Sequence, residues 1–441
     1  MRSYLLKAQV ASCQFSRTSK VWRLAPGSDR RRCRGLTRTP HCAAPTSEPA
    51  PPSSSGKSGQ RPLVIATRPS KLAKEQTRQV QQLLLAAAQL KDEQLQLSTL
   101  ELASRGDTTQ GVSLRSLGSG AFTEELDQAV LSGAADMSVH SLKDCPAALA
   151  PGLLLAACLP RADPRDVLIA PEATSLGELV PGSRVGTSSS RRAAQIKHSF
   201  PHLQVVQLRG NVDSRLGRIR SRDIGATVLA AAGLKRLGVM NSDEGDTTAT
   251  VSTSTSTSTS SSSFTGTSGE AGSSTSSSTS SSISREGFRT SVLSTEEMLP
   301  AACQGAVGVV CRADDEWVVG LLDAISHRGT ALEVAAERAC LAALLGGGGA
   351  CQRSAFPDIA WACHTRHDPD SNTMDLDCLV ADLEGKELFR YTEFYRPVID
   401  EVDAVSLGSL YGSLLRMMAV GQGWLQEEDE EEAAAAGEEE E

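Results

Sequence analysis

Short β-branched runs alternate with stretches of helical periodicity along most of this chain, and that alternation leaves few folds open. LVIAT (63–67) leads into KEQTRQVQQLLLAAAQL (74–90), whose apolar residues fall at helical spacing. QLSTLEL (96–102) reads as the next strand, FTEELDQAVLSG (122–133) as a helix closed by Gly133, and ADMSVHSL (135–142) as a strand entering a polar turn. The pattern resumes with DVLIA, a helix near SLGELV, the strand SRVGTSS, a helix from Arg191, the strand VVQLRG, a helix from Val212 and then ATVLAAAGLKRLG. Such alternation predicts doubly wound α/β domains with largely parallel sheets. After about residue 325 the order changes to a long helix, ALEVAAERACLAALL (331–345), a Gly run and several strand-like stretches, which predicts a smaller α+β domain.

Three stretches stand outside this pattern. Residues 1–60 hold eight Arg and three Lys against two acids and lack a continuous apolar core, the composition of an organellar transit peptide. Residues 241–290 are dominated by Ser and Thr and read as a disordered insertion. Residues 427–441 carry ten acids and no base, a solvated charge run. The remaining 61–426 carry a net charge of −8, which argues against a nucleic-acid partner. The longest uncharged apolar runs, such as GLLLAACL (152–159), fall short of the roughly 18–20 residues of a membrane span, so none is expected. Of eleven Cys, three lie before residue 60 and the rest are scattered without a CxxC pair, as reduced thiols of an intracellular protein would be. The group Cys363, His364, His367 and Cys378 matches no common zinc spacing, and no metal is expected.

Arginine placement carries the most chemistry. Arg68, Arg105, Arg191, Arg192, Arg209, Arg215 and Arg236 all fall where an expected strand gives way to a turn or helix. Open α/β sheets bind ligands outside the carboxyl ends of their strands, and guanidinium forks grip carboxylates bidentately. GTSSSRRAAQ (186–195) adds Ser188, Ser189 and other hydroxyls at one such point. Several converging forks imply a ligand rich in carboxylates or phosphates. In VHSLKDCP (139–146), Asp144 and Lys143 follow a strand; a carboxylate there suits cation stabilisation or proton transfer, or simply caps a helix. GGGGAC places Cys351 behind four glycines, where a thiol is carried into a cleft as a nucleophile or stays buried and inert.

Together these segments resemble the porphobilinogen deaminase (hydroxymethylbilane synthase) family. The resemblance is carried by IATRPS (65–70), SRGD (104–107), GAFTEELD (120–127), VHSLKDCP, DPRD (163–166), VGTSSSRR (185–192), LRGNVDSRL (208–216), AGLKRLG (232–238), LPAACQGAVGVVCR (299–312) and ALEVAAERA (331–339). It implies two periplasmic-binding-protein-like α/β domains, 61–160 with 301–322 and 161–240 with 291–300, then a C-terminal α+β domain over 323–426. It implies a dipyrromethane cofactor joined to Cys351 by a thioether. Four porphobilinogens then condense head to tail with loss of ammonia, and hydrolysis releases hydroxymethylbilane: a transferase of tetrapyrrole biosynthesis, expected as a monomer. By the same resemblance Asp144 is the catalytic acid, with Lys143 beside it. Arg68, Ser70, Asp107, Ser188, Ser189, Arg191, Arg192, Arg209 and Arg215 would hold the cofactor, and Arg68, Arg209, Arg215 and Arg236 the substrate. The expected compartment is a plastid, with the mitochondrion second. An active enzyme and a paralogue that binds pyrrole carboxylates without turnover both fit. This sequence departs from the family at RPSKLA, where Lys71 replaces a Pro, at Ser119 and Ser190, and at GGGGACQRSAF around Cys351.

Overall fold

The computed structural model describes residues 62–90, 94–109, 120–240, 281–283, 287–346 and 359–425. The expectations for residues 1–60, for most of the Ser/Thr insertion, for Cys351 and for the acidic tail lie outside these described residues.

A first lobe is built from β1 (Leu63–Thr67), α1 (Lys71–Leu90), β2 (Leu97–Glu101), α2 (Arg105–Thr108), α3 (Glu124–Leu131), β3 (Met137–Ser141) and β4 (Leu153–Cys158). The chain then crosses into a second lobe. This holds β5 (Asp166–Ala170), β6 (Arg184–Gly186), α4 (Ser190–Ser199), β7 (Gln204–Val206), α5 (Val212–Arg220), β8 (Ala226–Ala230), α6 (Ala231–Arg236), β9 (Ser281–Ile283) and β10 (Arg289–Val292). It crosses back for β11 (Val307–Arg312) and α7 (Glu316–Asp323). A third unit follows: α8 (Arg328–Leu344), β12 (Ile359–Asp368), β13 (Thr373–Asp382), β14 (Leu388–Pro397) and α9 (Glu401–Gly421).

Local chemistry explains these elements. In α1 the buried residues Ala73, Gln76, Thr77, Val80, Leu84 and Ala88 recur at helical spacing, and the Ser70 hydroxyl caps the first turn by accepting the Ala73 amide at 3.2 Å. Val167 and Ile169 of β5 pack into one cluster and Leu168 and Ala170 into another, so the second sheet is covered on both faces. The stretch SLGELV forms only a short 3₁₀ turn, Leu176–Glu178, because Gly177 weakens a helix and Pro181 ends it. Among the described residues α9 alone is long and apolar enough to cross a membrane by length and composition. Its face of Ala404, Leu407, Leu415 and Ala419 packs instead with Ala336, Cys340 and Leu344 of α8.

Both sheets are mixed, which corrects the expectation of largely parallel ones. The first has the order β2-β1-β3-β11-β4 and the second β7-β6-β8-β5-β10-β9. β1 runs parallel to β2 and β3, whereas β11 runs antiparallel to both β3 and β4. In the second sheet β6 is parallel to β7 and β8, while β5, β10 and β9 alternate in direction. β10 and β11 each pair antiparallel with both of their neighbours. β9 and the first residues of β10 also fall inside the stretch expected to be unstructured.

The two crossings between lobes, 159–165 and 293–306, touch each other. Gly305 has φ +91°, and a Cβ there would collide with the Ala162 carbonyl. Arg161 donates to both oxygens of Glu337 on α8, at 2.7 and 3.0 Å, and through Nε to the Gln304 carbonyl at 3.0 Å. Glu337 is fully buried and also accepts the amides of Thr365 and Cys303. Burial alone would raise its pKa, but the Arg161 guanidinium and His364 outweigh it and draw the carboxyl down to about 2. A carboxyl depressed on folding stabilises the native state above its ordinary range, and that contribution is lost as acid takes the pH down through about 2. Glu337→Gln is therefore expected to cost about 3–5 kcal/mol at neutral pH by stranding a buried guanidinium. It should also flatten the acid limb of stability, as read by urea unfolding at a series of pH values. Equal acid sensitivity in the variant would refute this account.

Candidate active site

A cleft of ≈ 990 Å³ opens between the two lobes. The elements that end at it explain its lining. Arg68 follows β1, Lys143 and Asp144 lie in the 3₁₀ turn Leu142–Asp144 after β3, Arg192 is in the first turn of α4, and Arg209 and Arg215 flank the start of α5. The cleft thus lies outside the carboxyl ends of β1 and β3, where open α/β sheets place ligands.

Arg68 is held on two sides. Its Nε donates to Asp107 Oδ2 at 2.9 Å, its Nη2 to the other carboxylate oxygen, and its guanidinium lies 4.4 Å from the centre of the Phe122 ring. Asp107 closes a capping box with Ser104 at α2. Burial opposes its charge, but Arg68 and Ser104 prevail and lower its pKa. Gly106 is required here because a Cβ would collide with Phe122.

The expected arginines divide into two sets. Asp166, fully buried at the start of β5, receives Arg191 Nη1 at 2.8 Å, Arg192 Nη2 at 2.7 Å and Gln304 Nε2 at 2.8 Å. Burial would raise its pKa, yet the two guanidiniums hold it below the ordinary carboxylate range. Arg191 spends its other bond on the Leu299 carbonyl and does not line the cleft. Arg192 does line it, with Nη1 on the Val228 carbonyl and a buried Nε–H that finds no acceptor. Arg236 donates to the Gly305 carbonyl at 2.9 Å and also stays out of the lining. Arg215 bonds the Gly210 carbonyl; burial, then Arg192 and Arg209, push its pKa down to about 10. Ser70 and Ser188 line the cleft, whereas Ser189 is spent capping α4.

Lys143 and Asp144 face two spaces at once, the cleft and a side pocket of ≈ 180 Å³. The Lys143 side chain reaches water within the cleft, yet protein surrounds it, and this desolvation lowers its pKa against the pull of Asp144. The side pocket is also lined by Leu345, at the end of α8, and Trp361, on β12. These two residues bracket the segment that holds Cys351, which itself lies outside the described residues.

A family model described as "Porphobilinogen deaminase, dipyromethane cofactor binding domain" matches residues 63–260. A porphobilinogen deaminase of Roseiflexus sp. (strain RS-1) is 37% identical over 291 residues, 66% of this chain and 78% of that protein. One of Sorangium cellulosum is 37% identical over 330 residues, 74% of this chain and 89% of the relative. A chloroplastic one of Oryza sativa subsp. japonica is 36% identical over 283 residues, covering 64% and 66%. The chain belongs to the porphobilinogen deaminase family.

The residues present fit the dipyrromethane of a porphobilinogen deaminase, whose rings carry carboxylates. Arg68, Arg192, Arg209 and Arg215 line one space, and such a set of guanidiniums suits a ligand rich in carboxylates. Phe122, Gln76 and Asp166 were assigned no role from the sequence. Phe122 and Asp166 sit in GAFTEELD and DPRD, so the motifs held the signal. Gln76 reads as one more polar residue of α1, although its Nε2 bonds Ser141 at the end of β3.

All seven described cysteines are buried. Burial, then Glu337, raises the Cys303 thiol well above its ordinary value, and burial takes Cys158 to about 12 and Cys311 to about 11. Thiols need the thiolate form to react. In the native protein at pH 7.5, iodoacetamide is expected to leave Cys145, Cys158, Cys303, Cys311, Cys340, Cys363 and Cys378 unlabelled in peptide maps. Rapid labelling of Cys303 would contradict this.

Proposed function

We propose that this cleft carries out the reaction of its family: four porphobilinogens condense head to tail onto a Cys-linked dipyrromethane with release of ammonia, and hydrolysis frees hydroxymethylbilane. One arrangement supports the reading above all. Asp144 and Lys143 stand where a guanidinium-lined cleft meets a pocket bounded by both flanks of the Cys351 segment. The dipyrromethane, when bound, supplies the primer to which the first porphobilinogen is joined; Cys351 is the residue we assign to hold it.

The chain's own groups then have distinct tasks. Arg68, Arg192, Arg209 and Arg215 take the acetate and propionate groups, and the clamps of Asp107 and Asp166 keep the first two forks aimed. Asp144 lies in the field of Arg68, Lys143 and Arg215. As ammonia leaves porphobilinogen with the bonding electron pair, a cation remains on the pyrrole, and the Asp144 carboxylate stabilises it. After carbon–carbon bond formation the proton lost from the pyrrole carbon passes to Asp144 and on to water. Arg191 and Arg236 act from behind the wall, through Asp166 and the Gly305 carbonyl.

This assigns the chain to the transferases of tetrapyrrole biosynthesis, acting as a monomer. The basic, acid-poor residues 1–60 and the chloroplastic rice relative support a plastid address, which a fluorescent fusion of those residues would test.

Intact mass gives the direct test. The wild type should exceed its polypeptide mass by one dipyrromethane. Cys351→Ser should fold and lose that increment, because a hydroxyl is a far poorer nucleophile than a thiolate. Retention of the increment would move the attachment elsewhere. Asp144→Asn should keep fold and increment but lose at least about 10²-fold in rate, the scale of one lost electrostatic contact to a transition state. Near-normal product formation would remove Asp144 from its role.

A further inference from the structure

Lys71 has a partner on the opposite lobe. It opens α1, while Asp213 lies in the first turn of α5; both line the cleft. The Lys71 Nζ donates to Asp213 Oδ2 at 2.7 Å. The two side chains are 80% and 54% exposed, so the pair sits in solvent at the rim. One turn along α1 from Lys71, Glu75 is gripped by Arg78 at 2.6 and 2.8 Å, which leaves Asp213 as the carboxylate bonded to Lys71.

The contrast with the inner wall matters. Arg68 and Arg192 are held by carboxylates that are largely or fully buried, and breaking a buried pair is costly. An exposed ammonium–carboxylate pair holds weakly and exchanges readily. The inner guanidiniums are fixed in number, whereas each added pyrrole brings two more carboxylates.

We propose that Lys71 is a rim anchor for the lengthening oligopyrrole, parked on Asp213 while the rim is empty and transferred to a pyrrole carboxylate once the chain reaches it. This rests on the reaction assigned above. Asp213, left behind, repels the same carboxylate, so the two residues act with opposite sign. A latch that merely ties the lobes together would respond alike to the loss of either partner.

The test uses full-length holoenzyme, limiting porphobilinogen and intact-mass spectrometry of the covalent ladder. Lys71→Ala should lower the complexes bearing three or four added rings about two- to fivefold relative to the one-ring complex, the range of an exposed ion pair. Asp213→Asn should raise them, and both effects should shrink in 0.5 M salt, where the Debye length is only about 4–5 Å. Shifts in the same direction, or no shift in either variant, would overturn the anchor while leaving the enzyme assignment intact. A wild type with no ladder would overturn both.

Discussion

Asp166 is buried without solvent contact, and three donors from distant parts of the chain close on it. Arg191 and Arg192 reach it from α4, and Gln304 reaches it from the second crossing. A charge in that position is tolerable only when every partner is present. The Gln304 carbonyl in turn receives Arg161, whose fork holds Glu337 on α8. One polar chain therefore runs from the second lobe, through both crossings, into the third unit. Because each link is desolvated, the lobes have little freedom to meet in another register.

The cleft inherits its character from that chain. Its inner cations are fixed before any ligand arrives, so little reorganisation remains for the moment of reaction. Arg192 shows this within a single side chain: it lines the cleft while Nη1 and Nη2 are held by the Val228 carbonyl and Asp166. Asp144, by contrast, sits on a short turn with open space on two sides. The Asp144 carboxylate thus has room around it, while the clamped guanidiniums of Arg68 and Arg192 stay put.

Much of this was legible in the sequence. β1, β3, β5 and β8 coincide with apolar runs, and Arg68, Lys143, Asp144, Arg192, Arg209 and Arg215 all line the cleft, because a strand end fixes where its next residues emerge. Direction was not legible. Arg191 and Arg236 also follow strands or helices at the right places, yet one turns to Asp166 and the other to Gly305. Those partners are distant in sequence, and no local pattern announces them. The antiparallel entry of β11 escaped for the same reason, since periodicity identifies a strand but not its neighbour. Exposed Lys71 gave no sign of its partner, which is a residue on the facing lobe.

The position of β11 has a consequence for how the molecule is made. It lies between β3 and β4, yet β4 ends at Cys158 and β11 begins at Val307. During synthesis the ribosome completes the whole second lobe before the strand that closes the first sheet exists. Until then β3 and β4 each present an unpaired edge, the kind of surface that recruits other chains. Gln304, which the second lobe needs for Asp166, is made only just before β11, so both lobes wait on the second crossing. The Ser/Thr-rich stretch lengthens the interval at small equilibrium cost, since closure entropy rises by only about 0.6 kcal/mol per doubling of loop length. Folding speed is more sensitive, because pairings between residues far apart in sequence form slowly. The sheet whose strand β3 leads into Asp144 is thus fastened only after the chain of the second lobe has been made.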